Sequence, residues 1–177
     1  MEEEFFRRDS KAVAKDLLGT RIRIEGLEAE ITETEAYMED DPASHAHGGK
    51  TERTRIMYES TGRIYVYLCY GIHHLLNITT NPDSAGCVLI RAAKPLEGLE
   101  KMRQRRDIED ETNLLNGPGK LCEAFGVDKD LNGSSYRSLG LEKSRSPKYE
   151  TSGRIGISKA QDRQLRFYVP GSKYLSR

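Results

Sequence analysis

No apolar run in this 177-residue chain approaches the roughly 20 residues of a membrane-spanning helix, so no membrane partner is expected. A basic leader is missing too: the chain begins Met-Glu-Glu-Glu, acidic where a secretory signal would be positive. Cysteine is scarce. Cys69, Cys87 and Cys122 are odd in number and far apart, which argues against a disulfide framework and against a Cys-x-x-Cys zinc site. The expected location is therefore intracellular. An excess of one charge is also absent, since 28 basic side chains face 28 acidic ones. That balance counts against wholesale nucleic-acid binding by a basic domain but leaves room for a local basic patch. No repeat of solenoid length occurs.

What remains is enough for one buried core. The length fits a single domain over residues 1–177, and 36% of the residues are hydrophobic. Residues 10–18 read as a helix with Ser10 as its cap, Val13, Ala14, Leu17 and Leu18 as its apolar stripe, and Gly19 as its stop. Alternation then predicts a hairpin that turns at Glu25-Gly26, its second strand running from Leu27 toward Tyr37. Residues 38–61 show little periodicity and read as a long ordered loop or a functional one. A second hairpin covers 63–80, with its tip near Tyr70-Gly71-Ile72-His73. Cys87 to Ala93 is nearly all apolar and reads as a central strand buried on both faces. Pro95 and Pro118 each suit the first turn of a helix, one from about 96 to 106 and one ending at Gly126. Residues 128–152, rich in Ser, Lys, Gly and Asp, read as a mobile loop. Two short strands, around 155–157 and 165–169, close the chain. Clustered hairpins with a few helices predict an α+β fold with a mostly antiparallel sheet.

Several residues could carry chemistry. The strand face that begins Leu27, Ala29, Ile31 continues Glu33, Glu35, Tyr37. Carboxylates on a core face are costly unless paired. Either the strand leaves the core after Ile31 and both glutamates are solvated, or one lines a cleft and acts as a base. Tyr65 and Tyr67 share a strand face. Tyr70 falls at a hairpin tip, where an aromatic is either a wedge that unstacks a base step or a tip folded back on its sheet. His45, His47, His73 and His74 lack the fixed carboxylate or cysteine spacing of a metal site, and no metal is expected. In its Gly-rich loop His45 could instead stack on or hydrogen-bond a ligand. Arg91 interrupts an apolar run and needs a partner, either a structural ion pair, a phosphate or a catalytic carboxylate. Gly117-Pro118-Gly119-Lys120 opens a helix whose free N–H groups can hold an anion, without the full phosphate-loop pattern. Lys101 to Arg106 reads as a solvated helix end.

Thr34-Glu35-Ala36-Tyr37, His45-x-x-Gly48-Gly49, Tyr65-Val66-Tyr67-x-x-Tyr70-Gly71, Asn77-Ile78, Val88-Leu89-Ile90-Arg91-Ala92 and Gly117-Pro118-x-Lys120-Leu121 resemble, in order and spacing, the alkyladenine (3-methyladenine) DNA glycosylase family. The resemblance runs over residues 5–174. It implies a hairpin that protrudes and inserts into DNA. It implies that Glu35 activates the attacking water, that Tyr37, His45 and Tyr67 hold the extruded base, and that Tyr70 fills the gap in the duplex. Asn77 matches the position that discriminates against guanine, and Arg91 one that lies near Glu35 and the nucleotide's phosphate. The implied function is a monofunctional glycosylase acting on alkylated, deaminated or etheno purines in double-stranded DNA, initiating base-excision repair without a cofactor. Such an enzyme is expected to be a monomer, in the cytoplasm or nucleoid of a bacterium or the nucleus of a eukaryote. Two rivals stand beside it: a non-catalytic module that stacks bases on its tyrosines, and a metal-dependent hydrolase built on His45, His47 and Glu35.

Overall fold

A computed structural model describes residues 1–176. The two expected hairpins form. Strand β1 (Thr20–Ile24) turns through Glu25 and Gly26, both at positive φ, into β2 (Leu27–Met38). Two successive left-handed residues give the tight turn whose twist matches the flanking strands. Strand β3 (Ile64–Cys69) turns through Tyr70-Gly71-Ile72 into β4 (His73–Thr80). Strand β5 (Gly86–Glu97) runs between β4 and β2, buried on both faces over most of its length. Three short strands complete the sheet: β6 (Glu142–Lys143), β7 (Glu150–Ser152) and β8 (Arg166–Tyr168). The main order is β3-β4-β5-β2-β1-β6, with β8 pairing β2 and β7, and every pairing is antiparallel. The class is α+β, as the pattern predicts.

Among the described residues four α-helices accompany the sheet: α1 (Ser10–Leu17), α2 (Arg55–Glu59), α3 (Leu99–Arg106) and α4 (Pro118–Phe125). Helices α1 and α4 pack on β2, β4 and β5, and their Val13, Leu17, Leu121 and Phe125 join Ile31, Ile78 and Ile90 in the main core. None of the helices is long and apolar enough to cross a membrane among the described residues.

The structure corrects five local expectations. Asp9, not Ser10, caps α1; its carboxylate accepts from the backbone N–H groups of Lys11 and Ala12, while Ser10 is buried against the Thr80 hydroxyl at 2.8 Å. Pro95 does not open a helix. It lies in β5, where Glu97 and Pro95 face Glu28 and Ala29 across a bulge, and α3 begins only after Gly98. Residues 38–61 contain α2 and a 3-10 turn at His45–Gly48. Residues 128–152 are not a loose loop: Tyr136, Leu139 and Leu141 enter the main core, and Arg145 pairs with Glu30 at 2.6 Å. Residues 155–157 form no strand and instead run along a cleft.

One irregularity in β2 shapes the far side of the sheet. Leu27, Ala29 and Ile31 face the main core, but so do Ala36 and Met38, which have the opposite parity. The β2–β5 register slips on both sides of Glu33. A bulge there re-aims side chains, so Glu33, Glu35 and Tyr37 leave the main core and point to the other side of the sheet. They are not solvated: both glutamates are completely buried.

Candidate active site

Register builds the site as rows across the sheet. Tyr65 on β3, Asn77 on β4, Leu89 on β5 and Glu35 on β2 are successive cross-strand partners. Thr79, Cys87 and Tyr37 form the next row. Residues directly opposite share a face, so one side of the sheet presents Glu35 and Tyr37 beside the tyrosines of the second hairpin. A small apolar cluster of Ala46, Met57, Tyr65, Ala85 and Cys87 backs them.

Above this face lies a cleft of about 610 Å³, lined by Tyr37, His45, Tyr67, Tyr70 and Arg91 among others. A narrow recess of about 20 Å³ continues from it between Tyr37, His45, Tyr67 and Asn77. The structure therefore brings together all seven residues to which the resemblance gives a role, Glu35, Tyr37, His45, Tyr67, Tyr70, Asn77 and Arg91. Glu35 lies just behind the wall, and each of its hydrogen-bond donors is part of that wall. Its Oε2 accepts from the Tyr37 hydroxyl at 2.8 Å and from Arg91 Nη1 at 3.3 Å, and its Oε1 accepts from the Ile155 N–H at 2.9 Å.

The neighbouring Glu33 is engaged differently. It accepts from Arg166 Nε at 2.6 Å, from the Ser176 hydroxyl at 2.7 Å and from the Ser176 N–H at 2.6 Å, and Arg91 Nε lies 3.2 Å away. An ionised carboxylate offers about four acceptor positions. Each glutamate accepts three hydrogen bonds and leaves one oxygen with a single donor, Oε2 in Glu33 and Oε1 in Glu35; they differ in that every donor to Glu35 lines the cleft, whereas Arg166, a donor to Glu33, does not. Arg91 thus bridges both carboxylates, and with Arg166 it balances two buried negative charges with two positive ones. That pairing is what makes the burial tolerable.

Tyr37 sits between two charged groups. Its hydroxyl faces Glu35, and the Arg154 guanidinium carbon lies 4.6 Å from its ring centre. Burial, followed by the charge of Glu35, pushes the phenol well above its ordinary value, so it remains a donor. Arg154 forks onto Asp41, donating to both carboxylate oxygens and to the Ala36 carbonyl, and neither side chain of the pair is exposed. The next residue, Ile155, gives its N–H to Glu35. Asp41 and Arg154 escaped the sequence reading, because neither interrupts a periodic run and the partners lie 113 positions apart.

His45 packs its ring edge against Tyr67, with centroids 4.5 Å apart. Burial of the ring, then the charge of Arg53, lowers its imidazole to about 4, so it is neutral at ordinary pH. Arg53 only donates, and its Nη2 is 3.4 Å from His45 Nε2, so Nδ1 carries the proton and donates to the Tyr65 hydroxyl at 3.0 Å. Asn77 is fixed by donating to the carbonyls of Tyr65 and Leu75, while its Oδ1 accepts from the Cys87 thiol. Burial pushes that thiol up to about 12, so it stays protonated.

Tyr70 does not fold back on the sheet. It is 87% exposed at the hairpin tip, in the left-handed region with φ of 50°, and Ile72 beside it is 71% exposed. Lys120, which the sequence reading placed only in a candidate anion loop, also lines the cleft and donates to Asn116 Oδ1 at 2.8 Å. The histidines do not converge on a metal site: His47 donates to the Glu39 carbonyl, and among the described residues no three His, Cys, Asp or Glu side chains form a metal-holding group.

Residues 4–173 match the family described as methylpurine-DNA glycosylase. A protein of Methanoculleus marisnigri is 44% identical, the match covering 98% of this chain and 96% of the relative. One from Nitrosospira multiformis is 43% identical, covering 97% and 91%. One from Salinibacter ruber is 40% identical, covering 97% and 94%. All three carry a provisional assignment as a 3-methyladenine DNA glycosylase.

Proposed function

The chain belongs to the methylpurine-DNA glycosylase family, and from that premise we propose that its cleft receives an alkylated purine rotated out of duplex DNA, where Glu35 activates the water that cleaves the N-glycosidic bond. The observation that carries this reading is the environment of Glu35. It is the buried carboxylate whose donors all line the cleft, and its Oε1 takes only one of them.

Breaking an N-glycosidic bond builds positive charge on the sugar. A carboxylate beside it stabilises that charge and takes a proton from water. One carboxylate suffices when the leaving base is already cationic, as an N-alkylated purine is. Deaminated and etheno purines are neutral, need protonation to leave, and are the slower substrates of this site. The reacting bond is hidden in the duplex, so the nucleotide turns outward at a cost of about a few kcal/mol, least for a damaged base. Stacking on Tyr37, His45 and Tyr67 returns about 1–3 kcal/mol per base. The exposed Tyr70 enters the gap, and the bracing of Asn77 suits it to refuse the 2-amino group of guanine. The protein acts as one domain and as a monomer, within the cell, and no step calls for a metal or an organic cofactor. Glu35 directs water rather than a lysine amine to the sugar, so the product is an abasic site in an unbroken strand.

The test is single-turnover cleavage of a duplex carrying one methylated purine, with wild type and Glu35→Gln, each with and without chelator. Wild type should give breaks that need alkali and resist chelator. Glu35→Gln should lose at least about 10²-fold in rate, the usual contribution of a general base. Equal rates from both proteins would remove Glu35 from the mechanism. Tight binding without any breaks would favour the base-stacking module, and loss of activity with chelator the metal-dependent hydrolase.

A further inference from the structure

We propose that Glu33 is a positioning residue for this reaction, acting through Arg91 together with the hydroxyl of Ser176; the inference rests on the reading of Glu35 as the base. Glu33 is a second carboxylate two residues from Glu35, wholly buried, and absent from the lining of the cleft. Glu35 is equally absent from that lining; what sets Glu33 apart is that one of its donors, Arg166, lies outside the cleft wall, while Arg91 and Ser176 are part of it. A buried carboxylate is expensive to keep, and here the sheet itself bulges to turn it toward Arg91.

The geometry says what it does there. The Nε side of the Arg91 guanidinium faces Glu33 at 3.2 Å and donates to the Ser176 hydroxyl at 2.8 Å. That same hydroxyl donates to Glu33, so the three groups form a closed ring of contacts. A guanidinium is a rigid planar fork. Fixing its Nε edge therefore fixes where Nη1 stands relative to Glu35. Nη1 stands 3.3 Å from Glu35, longer than the roughly 2.7–2.9 Å of a close charge-assisted pair. Glu33 and Ser176, with the Ile155 carbonyl to which Nη1 also donates at 3.4 Å, thus hold Arg91 back from Glu35. Without them the guanidinium closes onto Glu35, occupies the carboxylate and makes it a poorer base for water. Arg166 keeps Glu33 itself in place from the far side, at 2.6 Å.

The experiment compares Glu33→Gln and Ser176→Ala with wild type, alone and in an Arg91→Met background, with Glu35→Gln alongside. Single-turnover rate at saturating enzyme and Kd for the same methylpurine duplex are both read. Each single change should slow the chemical step by about 10- to 100-fold, the scale of an ångström misplacement at a reacting centre, with Kd unchanged. In the Arg91→Met background neither should slow it further, because their effect passes through Arg91. Ser176→Thr, which restores a hydroxyl, should recover the rate. Ser176→Ala decides the matter if Glu33→Gln fails to fold. Wild-type rates for both single variants, or the same fold loss with Arg91 already removed, would overturn the proposal. An inactive Glu35→Gln beside fully active Glu33→Gln and Ser176→Ala would sink this inference alone; a fully active Glu35→Gln would overturn both.

Discussion

Removing one partner of the Asp41–Arg154 pair should cost stability and activity together. Both side chains are fully buried, and Arg154 donates to two carboxylate oxygens and one carbonyl. In Asp41→Asn the guanidinium stays buried without its counter-charge, and breaking such a pair costs ~3–5 kcal/mol. An unfolding entropy of about 2.1 cal/mol/K per residue gives the 177-residue chain roughly 0.37 kcal/mol/K, so Tm should fall by about 8–14 °C. The rate should fall as well, because Arg154 lies against the Tyr37 ring and the N–H of Ile155 meets Glu35. The double variant Asp41→Leu with Arg154→Met removes both charges, and replacing a buried pair by apolar groups is often close to neutral. It should regain most of the lost Tm but not the rate. Calorimetry and single-turnover cleavage on the three proteins check this. A Tm drop under about 2 °C for Asp41→Asn, which is less than 1 kcal/mol, would refute the reasoning. So would a double variant that melts below Asp41→Asn.

Three other outcomes follow from the same geometry. Tyr70→Ala should weaken binding to lesion duplexes and slow cleavage while leaving Tm unchanged, since an 87% exposed side chain supports no core; a Tm loss of the size seen for a buried tyrosine contradicts the wedge. Gly119→Ala would bring a Cβ within 3.0 Å of the His73 Cβ and Cγ, next to the tip of the Tyr70 hairpin, an overpacking that costs ~1–3 kcal/mol. Thermal melts should show that loss, and adding His73→Ala should relieve only the part due to the ring, because alanine keeps the Cβ that lies 3.0 Å away. For His45, burial first and Arg53 second lower the imidazole to about 4, against ~6.5 unfolded. Between those values the unfolded chain takes up a proton that the folded one refuses. The contribution of His45 is therefore complete above pH ~6.5 and is lost as pH falls toward 4. Urea denaturation of wild type and His45→Gln should show the gap between them shrinking from pH 7 to pH 5, by a small amount because the side chain is partly exposed; a gap that widens reverses the sign and refutes the argument.

Sequence legibility tracked the range over which each interaction acts. The β1–β2 and β3–β4 hairpins, the central β5 and the helix opened by Pro118 rest on period-two alternation, turn glycines and a proline, all signals within a few residues. Glu35 and Arg91 were visible for a related reason: a charge inside an apolar run is a local anomaly. The groups that hold them were not. Ser176 reaches Glu33 across 143 positions, and the Ile155 group that meets Glu35 is a backbone N–H, which has no sequence signature at all. Composition misled over 128–152, because many polar residues outweighed the three apolar side chains, Tyr136, Leu139 and Leu141, that anchor the segment. The instructive failure is at Glu33. Alternation carried the core face of β2 from Ile31 straight on to Glu33 and Glu35, and a bulge breaks alternation where it re-aims side chains. Of the two open readings, the solvated one fails because both glutamates are buried, and the one that puts a glutamate at a cleft comes nearer, with Glu35 just behind the cleft wall. The bulge turns both onto the covered far side of the sheet, where a carboxylate is buried and still paired. The irregularity that spoiled the face assignment is therefore the feature that builds the site.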